Sequence, residues 1–361
     1  MAAQRFVILD FLRFLFAFLV AWMHLNGFAS PKKAYLAVDF FFILSGFVLC
    51  IAYERRADQP GFYRRYLVDR IARLYPLHLA TLLLLVPVNI LFYVTSGGQF
   101  LSNGWSYGDG HAYTFVLNLF LLQNVGLTTN SSWNAPAWSI SVEMVVNVFL
   151  GILIIHLAQR KRLWPFLLAT SIICYAVLFN TFGNLGAFSE PALGFINSGL
   201  IRGVAGIALG IVVFEVYNGL EHQKNAGFTR FVGLLALVTS GLLFGLILVF
   251  TTVKNIDFLT VPLMFCMVLA IALYERLKPM AEGLTRSVLV GLGALSYAVY
   301  LCHWPILNFT RYQIFYVWKV PVNFASPWTA FVFLSVVMVV ALFVHYRFEL
   351  PAKSAMKKWF S

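Results

Sequence analysis

The chain reads as a succession of long apolar runs separated by short polar breaks. Runs long enough to cross a hydrocarbon core of about 30 Å fall near 6–28, 35–53, 77–95, 136–157, 164–182, 194–217, 230–251, 258–275, 287–310 and 328–348. Within lipid, each must be helical, because every backbone N–H and C=O has to be paired inside its own segment. Ten spanning helices are therefore expected. An eleventh run, 113–125, is shorter and carries Asn118, Gln123 and Asn124. It is expected to be re-entrant or interfacial.

Basic residues set the orientation. With the N-terminus inside, the cytoplasmic segments hold Arg5, then Arg55, Arg56, Arg64, Arg65, Arg70 and Arg73, then Arg160, Lys161 and Arg162. Lys224, Arg230, Arg276, Lys278, Arg286, Arg347, Lys353, Lys357 and Lys358 follow on the same side. The outer segments hold Lys32, Lys33, Lys254, Arg311 and Lys319. This asymmetry obeys the positive-inside rule. A spanning 113–125 would invert every later loop and turn the basic clusters outward. The expected fold is thus an all-α polytopic membrane protein with both termini cytoplasmic, a single membrane-embedded domain over 1–361 without a fused soluble domain.

Composition agrees with a bilayer partner: 61% of residues are hydrophobic and 11% charged, with a mean hydropathy of +0.82. The formal charge of +12 has its explanation in topology and anionic headgroups, so no nucleic-acid partner is expected. Cys50, Cys174, Cys266 and Cys302 lie in apolar runs without metal or redox spacing, and no metal site is expected. The first run contains Arg13 and is too long for a cleavable signal peptide.

Ionisable residues inside these runs are the candidate chemistry, since a charge at membrane depth costs about 2.5 to 3.5 kcal/mol on insertion scales. Arg13 and His24 share a face of the first helix about three turns apart, with Ala17 and Ala21 between them leaving room for something narrow. His24 and Asp39 sit at similar depth on a hairpin. Glu143, Arg202 and His303 fall about 10 to 12 Å below the outer face. An imidazole can take a proton from a hydroxyl if a carboxylate steadies the imidazolium. His24 is the candidate base, with Asp39 its first candidate partner and Glu143 its second.

Five strings then define a resemblance. They are the Arg13-x10-His24 spacing followed by AVDFFFILSGFVL at 37–49, Arg70-x-x-Arg73 within RYLVDRIARLYPLHL at 65–79, Trp138-Ser139-x-Ser141-x-Glu143, and Ser296-Tyr297-x-x-Tyr300-x-x-His303-x-Pro305. In this order, across nearly the whole chain, they resemble the acyltransferase-3 family of membrane acyltransferases. The resemblance implies transfer of an acyl group, most often acetyl, from cytoplasmic acyl-CoA to a hydroxyl of an extracytoplasmic carbohydrate such as a surface polysaccharide or lipopolysaccharide. It implies acetyl-CoA as donor and a bacterial cytoplasmic (inner) membrane location. Arg70 and Arg73 would hold coenzyme A phosphates, and Arg13 would line the pantetheine path or pair with Asp10. Trp138, Tyr297 and Tyr300 are candidate walls of the sugar site. Ser45, Ser139 and Ser141 are candidate nucleophiles or oxyanion donors. Arg202 and His303 are candidates for stabilising the oxyanion, or Arg202 pairs with Glu143.

Two other readings stay open on sequence alone. Buried Arg, His, Asp and Glu also build proton relays, as in a proton-coupled transporter or flippase, although no internal repeat of the transporter kind is visible. A membrane partner that presents acyl groups to a separate periplasmic transferase is the other. Acceptor identity and oligomeric state have no readable code.

Overall fold

A computed structural model of the chain describes residues 5–95, 111–129, 132–159, 163–249 and 255–360. Arg160, Lys161, Arg162 and Lys254, with most of the outer loop 96–110, lie outside the described residues. The membrane helices are α1 (Val7–Leu25), α2 (Ala37–Tyr53), α3 (Phe62–Thr95), α5 (Trp138–Gln159), α6 (Trp164–Phe182), α7 (Ser198–Gly219), α8 (Ala226–Leu248), α9 (Asp257–Leu277), α10 (Leu284–Asn308) and α11 (Pro327–Val344). Each belongs to a helical stretch long and apolar enough to span, ten in all among the described residues. An even number of spans returns the chain to the side on which it began. The short α4 (His111–Leu119) has nine residues and rises only about 14 Å, too little to cross. It fits the re-entrant or interfacial segment that its amide-rich sequence anticipates.

The observed ends differ from the sequence expectation in four places. α3 begins at Phe62 and has 34 residues, so Arg64, Arg65, Arg70 and Arg73 lie on a helix rather than in a loop. The arginines depress local hydropathy without disfavouring helix. Tyr63 and Tyr66 tie this extension to α5 through the Val148 carbonyl at 3.0 Å and Asn147 Oδ1 at 3.4 Å. The sixth apolar stretch opens on a small hairpin, β1 (Pro191–Leu193) and β2 (Ile196–Asn197), turned at Gly194 with φ +60°. α10 runs on through a π-helical turn, Phe309–Val317. α11 does likewise through His345–Glu349 into α12 (Leu350–Phe360), which packs along α3.

Small residues set the closest helix approaches, as they do where lipid offers no hydrophobic drive between helices. A Cβ on Gly46 of α2 would stand 2.2 Å from the Ile207 carbonyl oxygen, and one on Gly210 of α7 would stand 2.0 Å from that of Ile43. α1 packs chiefly on α10, and the first turn of α1 is satisfied from outside when Ile8 N–H donates to Glu275 on α9 at 3.0 Å. Ala17 and Ala21 are fully buried in this packing.

Candidate active site

A cavity of about 280 Å³ lies among α1, α2, α3, α5 and α10. Arg70 and Arg73, three residues apart, share one face of α3 and meet Arg13 of α1 in its wall. Arg13 reaches Asp10 at 3.4 Å, but Arg5 claims the same carboxylate more closely at 2.8 Å. Arg70 donates to the Tyr53 hydroxyl at 3.1 Å and lies over that ring. Arg73 makes no hydrogen bond or ion pair among the described residues and lies in the field of both other guanidinium groups. Glu143 also lines the cavity, accepting from Ser45 Oγ at 3.0 Å. Three cations against one lining carboxylate leave net positive charge in a partly desolvated space, an arrangement suited to phosphate.

The cavity closes under Tyr300 and Phe41, whose rings meet edge to face at 5.8 Å. Tyr300 is fixed by its hydroxyl, which donates to the Pro136 carbonyl at 3.0 Å and lies 2.8 Å from Ser139 Oγ. On the other side of Tyr300, at 6.1 Å between ring centres, stands His303.

His303 and His24 stack with ring centres 5.1 Å apart, joined by a hydrogen bond from Nδ1 of His24 to Nε2 of His303 at 3.1 Å. The network assigns the tautomers. His303 Nδ1 lies 3.2 Å from the Val299 carbonyl, which can only accept, so this nitrogen carries hydrogen. Its Nε2 is then an acceptor, His24 Nδ1 is the donor, and His24 Nε2 keeps its lone pair. His303 is fully buried, whereas His24 is partly exposed.

Local helix chemistry holds this pair. Pro305 has no N–H to give the Leu301 carbonyl, and Asn134 Nδ2 donates to that carbonyl instead at 3.2 Å. Beside it, Trp304 donates to the Trp133 carbonyl at 2.9 Å and sets its ring edge-on to His24. Arg311 caps the end of α1 through the carbonyls of His24 and Leu25 at 3.1 and 2.6 Å.

Several expected partnerships are replaced. Asp39 does not orient His24: it is wholly buried against Arg202, with contacts of 2.5 to 3.1 Å, and accepts from Tyr175 at 3.4 Å. Arg202 also donates to the Tyr35 carbonyl at 2.8 Å and lies over the Trp138 ring. Arg202 therefore pairs with Asp39 rather than Glu143, and Trp138 is packing for this ion pair rather than a cavity wall. Glu143 lies in the cavity, where it accepts from Ser45 rather than meeting His24. Ser141 holds the re-entrant segment, donating to the Leu121 carbonyl at 2.7 Å and accepting from Asn124 N–H at 3.2 Å. Ser139, Tyr297 and Tyr300 line the arginine cavity, not an outer pocket. Sequence reasoning weighed His303 only as an oxyanion group and missed its bond to His24. It also missed Arg311, Asn134 and buried His78, whose Nε2 lies 2.8 Å from the Asn118 carbonyl. The polar residue inside an apolar run was the available signal for His78.

Fold and site together define a class: a multi-pass membrane protein with a cationic cavity among its helices and a pair of imidazoles next to it. The acyltransferase-3 model, described as an acyltransferase domain, matches residues 6–347. The chain belongs to the acyltransferase-3 family and is a membrane acyltransferase. It is similar to acyltransferase MdmB of Streptomyces mycarofaciens, 25% identical over 299 residues that cover 76% of this chain and 68% of that one. It is also similar to protein 2 in the picA locus of Rhizobium radiobacter, 37% identical over 155 residues, 40% of this chain and 80% of that one. No solved structure matches it.

Proposed function

We propose that the protein transfers an acyl group, acetyl in the first instance, from cytoplasmic acyl-CoA to a carbohydrate hydroxyl on the outer side of a bacterial cytoplasmic membrane. The observation that carries this reading is the cavity lined by Arg13, Arg70 and Arg73, with the imidazole pair beyond its lining residue Tyr300. Its charge suits the coenzyme A diphosphate. Arg13 and His24 are separated by about 16 Å of helix rise, a span for the pantetheine arm between phosphates and thioester.

In the transfer, His24 Nε2 takes the acceptor hydroxyl proton as the oxygen attacks the thioester carbonyl. His303 Nε2, accepting from His24 Nδ1–H, steadies the imidazolium. The C–S bond breaks, the ester forms, and the imidazolium proton passes to the departing thiolate. Direct transfer is favoured over an acyl-enzyme because the candidate serines are committed elsewhere: Ser45 to Glu143, Ser139 to Tyr300 and Ser141 to Leu121. None bonds an imidazole. An acyl donor bound within this chain also removes the need for a separate transferase.

The test compares ester-linked acetyl on total surface glycans, by mass spectrometry and proton NMR, in a deletion strain carrying empty vector, wild type or His24→Ala. Acetyl restored by wild type and not by the equally expressed variant supports the reading and identifies the acceptor. Identical spectra from empty vector and wild type overturn it.

A further inference from the structure

Two elements bring cations toward the arginines of the cavity, α3 and α12. α12 lies along the first turns of α3, pinned at two points. Lys357 forms an ion pair with Asp69, and Arg64 donates to the Phe360 carbonyl at 2.8 Å. Asp69 is further fixed by the Tyr53 hydroxyl at 2.8 Å. One turn before Lys357 on the same face stands Lys353. It is half-buried, lies within electrostatic reach of Arg73, Lys357 and Arg70, and makes no hydrogen bond or ion pair among the described residues. The nearby carboxylate of Glu349 is engaged by His345 Nδ1 at 2.8 Å. Arg70 keeps a buried Nε without a partner. Arg70, Arg73 and Lys353 thus converge from two helices, and the carboxylates in their field, Glu143 and Glu349, are hydrogen-bonded to Ser45 and His345 rather than to them.

The geometry points to α12 as part of the donor site, with Lys353 binding the 3′-phosphate of the coenzyme A nucleotide. This assignment rests on the acyl-CoA reading above and deepens it. The order of groups along coenzyme A decides which phosphate goes where. From the thioester outward come the pantetheine arm, the diphosphate and then the ribose 3′-phosphate. Arg70 and Arg73 line the cavity itself, whereas Lys353 stands outside its lining, within electrostatic reach of both. The inner pair therefore meets the diphosphate and the outer lysine the terminal phosphomonoester, a compact dianion matched to a point-charge ammonium. The two anchors on α3 hold the lysine in place before ligand arrives, which limits the ordering cost of binding.

The measurement is the affinity of coenzyme A and of 3′-dephospho-coenzyme A for the purified full-length protein, by calorimetry in nanodiscs of zwitterionic lipid. Wild type is expected to bind coenzyme A on the order of tenfold more tightly, the effect of one charge-assisted contact. Lys353→Gln should bring the two affinities together by weakening coenzyme A alone, Lys353→Arg should restore most of the difference, and exposed Lys224→Gln should leave it unchanged. Equal affinities in wild type, or the same discrimination in Lys353→Gln as in wild type, overturn the assignment while leaving the acyl-CoA reading intact. Absence of any coenzyme A binding by wild type overturns both. A repeat in nanodiscs containing anionic lipid separates the other source of phosphate. If wild-type discrimination vanishes there and Lys353→Gln no longer differs from wild type, the lysine serves lipid headgroups and the assignment fails.

Discussion

His24 Nδ1 donates to His303 Nε2 across 3.1 Å, so the candidate base is oriented by a second imidazole rather than by a carboxylate. The bond fixes which nitrogen of His24 is free to take a proton, and it exists because α1 and α10 pack together over most of their length. His24→Ala should lower acyl transfer on the order of 10²- to 10⁴-fold, the usual range for a general base. His303→Ala should cost less. His303→Gln should recover part of the loss, because a glutamine side-chain oxygen can accept from His24 Nδ1–H. Initial rates of ester formation at matched protein levels check the ranking; equal rates for His303→Ala and wild type would remove His303 from the mechanism.

Asp39 and Arg202 make a different prediction. Both are essentially unexposed, at 0% and 1%, and their pair joins α2 to α7 at the seam set by Gly46 and Gly210. Removing one partner of such a pair costs about 3 to 5 kcal/mol, because the other charge is left buried. Asp39→Asn and Arg202→Met should each lower the melting temperature of detergent-solubilised protein, with activity falling in proportion to folded protein. The double variant should recover stability relative to either single one. Activity lost by Asp39→Asn without loss of thermal stability would return this carboxylate to the chemistry.

Phe41 and Tyr300 meet edge to face in the cavity wall, and Tyr300 stands next to His303. Truncating Phe41 should loosen this wall and admit water to a bound thioester. Phe41→Ala is expected to raise acetyl-CoA hydrolysis without acceptor on the order of tenfold, the effect of removing about 1.4 kcal/mol of barrier. Release of free thiol from acetyl-CoA measures it. An unchanged background rate would mean that water reaches the thioester by another route, or not at all.

The hydrophobic pattern was sufficient for the spans because each membrane helix satisfies its own backbone and needs no partner to be recognised. Asn118, Gln123 and Asn124 likewise marked the re-entrant segment, since amides at that depth need the local bonds that the structure supplies. The amphipathic first turns of α3 were hidden because hydropathy reports lipid exposure and not helicity. The site residues were legible as types and depths, but not as pairs. Asp39 and His24 share a depth on adjacent helices, yet which carboxylate meets which cation depends on helix rotation, fixed here by Gly46, Gly210 and the α1–α10 contact. Nothing in the spacing from His24 to His303 signals that these two meet, and nothing in Lys353 sets it apart from other basic residues near the C-terminus.

Arg73 gives the sharpest separation between a binding role and a topological one. It lies among Arg13 and Arg70, with no hydrogen bond or ion pair of its own among the described residues, so it contributes repulsion and desolvation to the ligand-free protein. A group retained at such a cost is explained if ligand phosphates compensate it. Arg73→Ala should leave the ligand-free melting temperature unchanged or raised, while weakening coenzyme A binding about 10- to 100-fold, the loss of a contact between charged groups. Raised salt should weaken the wild type more than the variant, because the variant has less charge to screen. A residue kept only to satisfy the positive-inside rule would behave otherwise: inserted protein would decrease or misorient, and the correctly inserted fraction would bind coenzyme A with wild-type affinity. Thermal melts and calorimetry on the same preparation, with and without coenzyme A, distinguish the two roles.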